Sequence, residues 1–235
     1  MKLLFIGVLA LVLSSKTGVV EENLSLPVSK ESLDMIVQFE VGGRSYYEAK
    51  LQRPTVPSWQ TTSSGVTVGF GFDLGYNTPE QIEKAFKGVL SDKEIEAMKS
   101  VAGLKGKRAY YEGLPKVKNV VRVSYEDAEK VFIRDSLPRF TKQTADAFKL
   151  SKDRLNPHCN GALTSLVFNR GPSTANTDSR KEMRDIRYHI SVNKEESVPT
   201  DLRNMKRLWS YTKLKGLHLR RDAEAKMFQK GLDSN

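Results

Sequence analysis

Two carboxylates and a hydroxyl, Glu40, Asp73 and Thr67, carry the chemistry this chain suggests. Leu33, Ile36, Val37 and Glu40 fall at i, i+3, i+4 and i+7 of a helical pattern beginning at Ser29. A carboxyl at that register lies toward the core side, and burial disfavours its charged form, which suits a general acid near neutral pH. The same register also fits a helix about to stop at Gly42-Gly43, with Glu40 turned to solvent. Farther on, Val66, Val68, Phe70 and Phe72 alternate with Thr67, Gly69, Gly71 and Asp73, a strand period. Small residues on the second face let a ligand approach the backbone closely. On a straight strand Thr67 and Asp73 would stand roughly 20 Å apart. They share a site only if the chain bends, which Gly69 and Gly71 permit. A hairpin with Asp73 in a turn through Leu74-Gly75-Tyr76-Asn77 explains the same residues.

Other chemistries find less support. One cysteine excludes a disulfide within the chain, and the three histidines form neither an HExxH nor a Cys/His cluster. No metal site and no cofactor is therefore expected. Cys159 with His189 or His218 would make a Cys/His peptidase pair, against the ordinary reading of a buried free thiol. Tyr46, Tyr47, Trp59 and Tyr76 are candidate platforms for sugar rings, although aromatics beside a strand also serve packing.

The elements that must hold these residues read as one α+β domain, mostly helical, with a small β element near the N-terminus. Thr78-Pro79-Glu80 and Ser91 each start a helix. Ser124 and Asp127 form a capping-box pattern for a helix ending near Pro138. Ala162, Leu163, Leu166 and Val167 mark a helix closed by Arg170-Gly171-Pro172, and further helices are expected at 178–192, 200–212 and 217–230. Trp209 reads as core, and Arg220 and Arg221 as helix-surface residues.

Lys2 followed by an apolar run from Leu3 to Leu13 and a small, polar exit reads as a secretory signal peptide over residues 1–18. The run is too short for a comfortable bilayer span. A linker at 19–28 and a domain at 29–232 follow, giving a secreted or periplasmic protein without a stable membrane span after cleavage. The formal charge is +10, and cleavage after residue 18 removes Lys2 and Lys16 with no acid. Such charge favours anionic wall polymers over nucleic acid for an exported chain. Lys105, Lys107, Arg108, Lys116, Lys118 and Arg122 form its densest part, or simply a solvated face.

Taken in order, Glu40, the run Gly65 to Gly75, Leu163 to Gly171, Trp209 and Gly216 to Glu224 resemble the phage-type lysozymes of glycoside hydrolase family 24. The order Glu40, Thr67, Asp73 is most similar to the pesticin-like branch. Common phage lysozymes carry the aspartate about nine residues after the glutamate, where this chain has Ala49. Glu48, the only acid between Glu40 and Thr67, is the competitor to Asp73.

The resemblance implies a lysozyme-like fold and a muramidase cutting the β-1,4 bond between N-acetylmuramic acid and N-acetylglucosamine, with inversion. Glu40 would protonate the leaving oxygen, Asp73 would stabilise charge on the sugar and help hold water, and Thr67 would position that water. Tyr46, Trp59, Gly69, Gly71, Tyr76 and Asn169 are the candidate substrate contacts. Peptidoglycan is the expected partner, with an inhibitor or immunity protein as a second, and the chain is expected to act as a monomer. The competing functions are a catalytically silent wall-binding protein on the same fold and a Cys159-dependent wall peptidase.

Overall fold

The computed structural model describes residues 26–234. The expected signal peptide, and the expected linker up to residue 25, lie outside the described residues. Most described residues are helical, and the β structure is one small two-stranded sheet in the N-terminal half, the expected α+β arrangement. No described helix is long and apolar enough to cross a membrane. The described chain divides into two compact units, one Val37–Leu137 and the other residues 26–36 with 138–234.

In the first unit the last turn of α1 (Lys30–Val41) leads through Gly42 and Gly43 to α2 (Arg44–Lys50). Strands β1 (Thr67–Val68) and β2 (Phe72–Asp73) pair antiparallel, Thr67 opposite Asp73 and Val68 opposite Phe72. The alternation in the sequence therefore belongs to a hairpin and not to one straight strand. Gly69 and Gly71 take φ of 57° and 88°, the left-handed backbone that makes the turn and that side chains disfavour. Helices α3 (Pro79–Phe86) and α4 (Asp92–Lys99) begin at complete capping boxes, Thr78 with Gln81 and Ser91 with Glu94. The short α5 (Gly106–Arg108) and α6 (Leu114–Val117) follow, and then α7 (Tyr125–Val131), whose Ser124 cap accepts from the Asp127 N–H.

Phe70 sits at the centre of this unit's aromatic packing, edge-on to Tyr47 at 5.2 Å and to Tyr125 at 5.0 Å. Tyr47, expected as an exposed platform, is fully buried and donates its hydroxyl to the Val123 carbonyl at 3.0 Å. The correction has a physical cause: a phenol is apolar enough for a core when its O–H finds an acceptor there.

The helix expected to end near Pro138 continues as α8 (Leu137–Phe148). The backbone passes the proline through a π turn, Phe132–Ser136, in which Leu137 N–H bonds the carbonyl five residues back. The same device precedes Pro115: a π turn at Ala109–Gly113 ends with Leu114 N–H on the Ala109 carbonyl. Proline lacks an N–H and crowds the carbonyl four residues earlier, and the wider turn relieves that conflict.

The second unit is built on α9 (Pro157–Arg170), capped by Asn156 and closed by Gly171 at φ 74°. With it come α10 (Lys181–Ser191), α11 (Val198–Asn204) and α12 (Tyr211–Leu232), the last bent at Leu214. Phe148, Leu163, Leu166, Ile186 and Phe228 form its core, and Leu26, from the stretch expected to be linker, is buried among them. Trp209 packs against the same cluster. Gly161 is where α9 meets Ser32: a Cβ there would lie 2.1 Å from the Ser32 Cβ.

Arg220 and Arg221 are not on the surface. Both are buried with Glu224, which Arg221 meets at 2.7 Å and Arg220 at 3.2 Å, and Ser165 donates its hydroxyl to the same carboxylate at 2.7 Å. Charged groups enter a core only with such compensation.

Candidate active site

The hairpin decides the geometry of the site. Thr67 and Asp73 face each other across the sheet, and directly opposed residues present their side chains on one face, about 5 Å apart at Cβ. Thr67 is fixed from its other side by reciprocal backbone hydrogen bonds to Thr55, at 2.8 and 3.0 Å. Its hydroxyl donates to the Gly65 carbonyl at 3.4 Å.

Asp73 is held more tightly. Its Oδ1 accepts from Gly75 N–H at 2.8 Å, and both carboxylate oxygens accept from Gly65 N–H at 3.0 Å. A Cβ at Gly65 would stand 2.3 Å from Asp73 Oδ1, so the donors reach the carboxylate only because Gly65 has no side chain. Burial raises the Asp73 pKa above the ordinary aspartate value, and the two N–H donors and the charge of Lys105 partly oppose that rise. Oδ2 receives only the shared Gly65 N–H and keeps lone-pair capacity toward a ligand. Both readings of Asp73 thus hold at once, a carboxylate on the Thr67 face and the brace of a turn.

Glu40 lies in the last turn of α1, half-buried, in the same compact unit as Thr67 and Asp73. Glu48, the competitor, is exposed on α2 and paired with Arg44 at 3.2 Å, one turn away. Arg44 also pairs with Glu126 at 2.5 Å. The arrangement engages Glu48 on the helix surface.

The remaining candidates divide. Tyr46 and Tyr76 are exposed, and Lys105 Nζ sits 3.8 Å over the Tyr76 ring. Trp59 is half-buried and stacked on Tyr110 with ring centroids 4.3 Å apart, while Tyr111 meets it edge-on at 5.3 Å. A Cβ at Gly69 would touch Ala128 at 3.5 Å, whereas one at Gly71 would meet nothing within 4 Å. Only Gly71 of the pair borders open space. Asn169 belongs to the second unit, where its Oδ1 accepts from Arg221 at 3.3 Å.

Sequence reading missed the part played by Lys105, Tyr110 and Tyr111. Their signal was present as a basic, aromatic run, Lys105 to Tyr111, but nothing local ties that run to Trp59 or Tyr76. It also missed Gly65 and Gly75 as the donors to Asp73, for which the spacing Gly65, Asp73, Gly75 was the available cue.

Cys159 offers no nucleophile. Its thiol is buried, donates to the Phe228 carbonyl at 3.3 Å, and has its pKa pushed up to about 12, chiefly by burial. His189 is bonded to Asp201 at 2.7 Å, and His218 to the Trp209 carbonyl at 2.9 Å. A peptidase pair is thereby removed, because the thiolate is the reacting form. Among the described residues no group of three or more His, Cys, Asp or Glu side chains could hold a metal ion.

A family model described as phage lysozyme matches residues 60–224. The matched stretch contains Thr67, Asp73, Asn169, Arg220, Arg221 and Glu224, and Glu40 lies ahead of it. No curated protein matches the chain.

Proposed function

Because the chain belongs to the phage lysozyme family, a family of muramidase-type hydrolases, we propose that it cleaves the β-1,4 bond between N-acetylmuramic acid and N-acetylglucosamine in peptidoglycan. In this reading Glu40 is the general acid that protonates the departing glycosidic oxygen. Asp73 stabilises positive charge developing on the sugar, and Thr67 with Asp73 holds the attacking water. The observation that carries the reading is the cross-strand register setting Thr67 opposite Asp73 on one face of the hairpin. A water held between a hydroxyl and a carboxylate, with a separate acid for the leaving group, is the arrangement of an inverting glycosidase. Inversion is accordingly part of the proposal.

The order Glu40, Thr67, Asp73 supports placing the chain in the pesticin-like branch of the family. The apolar run after Lys2 supports export. Peptidoglycan is then met outside the cytoplasm, where a positive protein concentrates near anionic walls.

A silent wall-binding protein is the second reading, and the bracing of Asp73 favours keeping it in view. An aspartate needed to hold a turn would be retained with or without catalysis, so its presence does not separate the two functions. Glu40 does. Digestion of purified peptidoglycan by the wild type is expected to release muropeptides with reducing N-acetylmuramic acid ends, identified by mass spectrometry. Glu40→Gln is expected to release at least about a hundredfold less while still binding walls. Intact glycan strands from the folded wild type would reject the enzyme and leave the binder.

A further inference from the structure

The second unit carries an open cavity of about 560 Å³, whose walls include Lys149, Arg154, Arg184 and Arg187 and no carboxylate. The four cations come from three separate stretches: the residue after α8, the loop before α9, and α10. On α10, Arg184, Arg187, Tyr188 and Ser191 follow one another at i, i+3, i+4 and i+7, so a single helical stripe lines the cavity. The other side of the helix buries Met183 and Ile186 in the core. A stripe of this kind on a merely solvated face would be expected to mix acids with its bases.

The charges are unequally engaged. Arg154 pairs with Glu195 and donates to Asn193 Oδ1 at 2.7 Å and to the Ile190 carbonyl at 3.1 Å, so it is largely committed to structure. Arg184 donates to the carbonyls of Ala175 and Thr177, and its charge acts on Asp178 without a direct ion pair. Arg187 makes one long contact to Thr174 Oγ1 at 3.5 Å. Among the described residues, Lys149, Arg184 and Arg187 form no ion pair.

Two helix ends shape the rim of the cavity. Only three described residues other than glycine have left-handed φ, and two of them, Lys149 at 58° and Asn193 at 55°, line this cavity. Lys149 follows α8 at the position where a helix ordinarily ends in glycine. The helix end itself accounts for this φ, since Leu150 N–H bonds the Ala145 carbonyl at 3.0 Å across Lys149.

We propose that this cavity is a binding site for a phosphorylated carbohydrate. Lys149, Arg184 and Arg187 face the phosphate, and Tyr188 supplies a platform for the sugar. Cations supplied from two stretches, the end of α8 and the stripe on α10, suit the several oxygens of a phosphate better than the planar pair of a carboxylate. Three cations outside any ion pair favour an anionic phosphate group, monoester or diester, over a neutral sugar. The volume far exceeds that of a bare ion, and the exposed Tyr188 ring has a face on which a pyranose can stack. The ligand can come from two sources, a soluble sugar phosphate or the repeating phosphodiester of a wall polymer. The site requires nothing of Glu40, Thr67 or Asp73, so it stands whatever those residues do.

The test is calorimetric titration of the intact chain at low salt with N-acetylglucosamine 1-phosphate, inorganic phosphate and N-acetylglucosamine. The phosphosugar is expected to bind about tenfold more tightly than inorganic phosphate, and the neutral sugar to give no measurable heat. Arg187→Gln should weaken both anions about tenfold. Tyr188→Ala should weaken the phosphosugar and leave inorganic phosphate unchanged. Lys149→Gly should weaken binding while the melting temperature stays level or rises, a combination that loss of folding cannot produce.

Lys213→Gln, an exposed cation of the same unit away from the cavity lining, should bind as the wild type does. Equal losses in Lys213→Gln and Arg187→Gln would reduce the effect to overall charge and overturn the site. Equal affinity for inorganic phosphate and the phosphosugar would overturn the carbohydrate part. With the site upheld, tighter binding of poly(N-acetylglucosamine 1-phosphate) per phosphate assigns the wall polymer as source, and equal binding assigns the soluble sugar phosphate.

Discussion

A carboxamide at position 73 would match Asp73 in size but offer one acceptor oxygen where the hairpin base uses two, and its NH₂ would face the Gly65 or Gly75 N–H. Asp73→Asn is therefore expected to lose stability as well as activity, by about 1–3 kcal/mol in urea unfolding. The dependence on pH follows from burial, which raises the native pKa above its ordinary value of 3.8. As pH falls, the native state takes up this proton before the unfolded chain does. The resulting stabilisation is full below 3.8 and is lost as pH rises through the native value, so the stability gap between wild type and Asp73→Asn should widen on acidification. Activity should run the other way. A carboxylate is needed to stabilise positive charge, so kcat/KM should fall on its acid side at higher pH than an ordinary aspartate would dictate. The thiol gives a plainer expectation. With its pKa near about 12 and its Sγ sealed against Phe228, Cys159 should resist alkylation in the native protein, and Cys159→Ala should lyse walls at the wild-type rate.

At the level of elements, the β hairpin shows what sequence could and could not reveal. The β element was legible and its shape was left open, because apolar alternation continues unbroken from Val66 to Phe72 through a turn that only φ angles disclose. The two glycine environments now predict different penalties. Gly71→Ala should cost about 1 kcal/mol, from left-handed backbone alone, and leave most activity. Gly65→Ala must displace Asp73 and the Gly75 backbone, 2.3 and 2.4 Å from the added carbon, and should abolish wall lysis in a standard turbidity assay. The helices were legible wherever a cap stood beside an apolar period, as at Thr78 and Ser91. They were misread at Pro138, because a proline signals a break locally, whereas a π turn lets the helix continue. Arg220 and Arg221 could not be read as buried, since what admits them to the core includes Ser165, 55 residues away.

For the whole molecule, charge is the property most open to test. The formal +10 includes Lys107, Lys116 and Lys118, all exposed and without an ion pair among the described residues. Attraction of such charge to a wall acts over the Debye length, about 8 Å at physiological ionic strength. Lysis of whole walls should therefore slow several-fold as salt rises from about 0.05 to 0.3 M, while hydrolysis of a short soluble glycan fragment changes little. A turbidity assay beside a product assay separates the two. The family match covers Thr67 and Asp73 but begins after Glu40, so the proposal of Glu40 as the acid draws nothing from the matched stretch.

The sealed thiol at position 159 has a practical side. A cysteine introduced at an exposed site such as Lys213 would be the one sulfhydryl a maleimide reaches, with the native residue left in place. A fluorophore or spin label would then have a single address on the chain, and the protein could be followed on a living wall without first rebuilding its core.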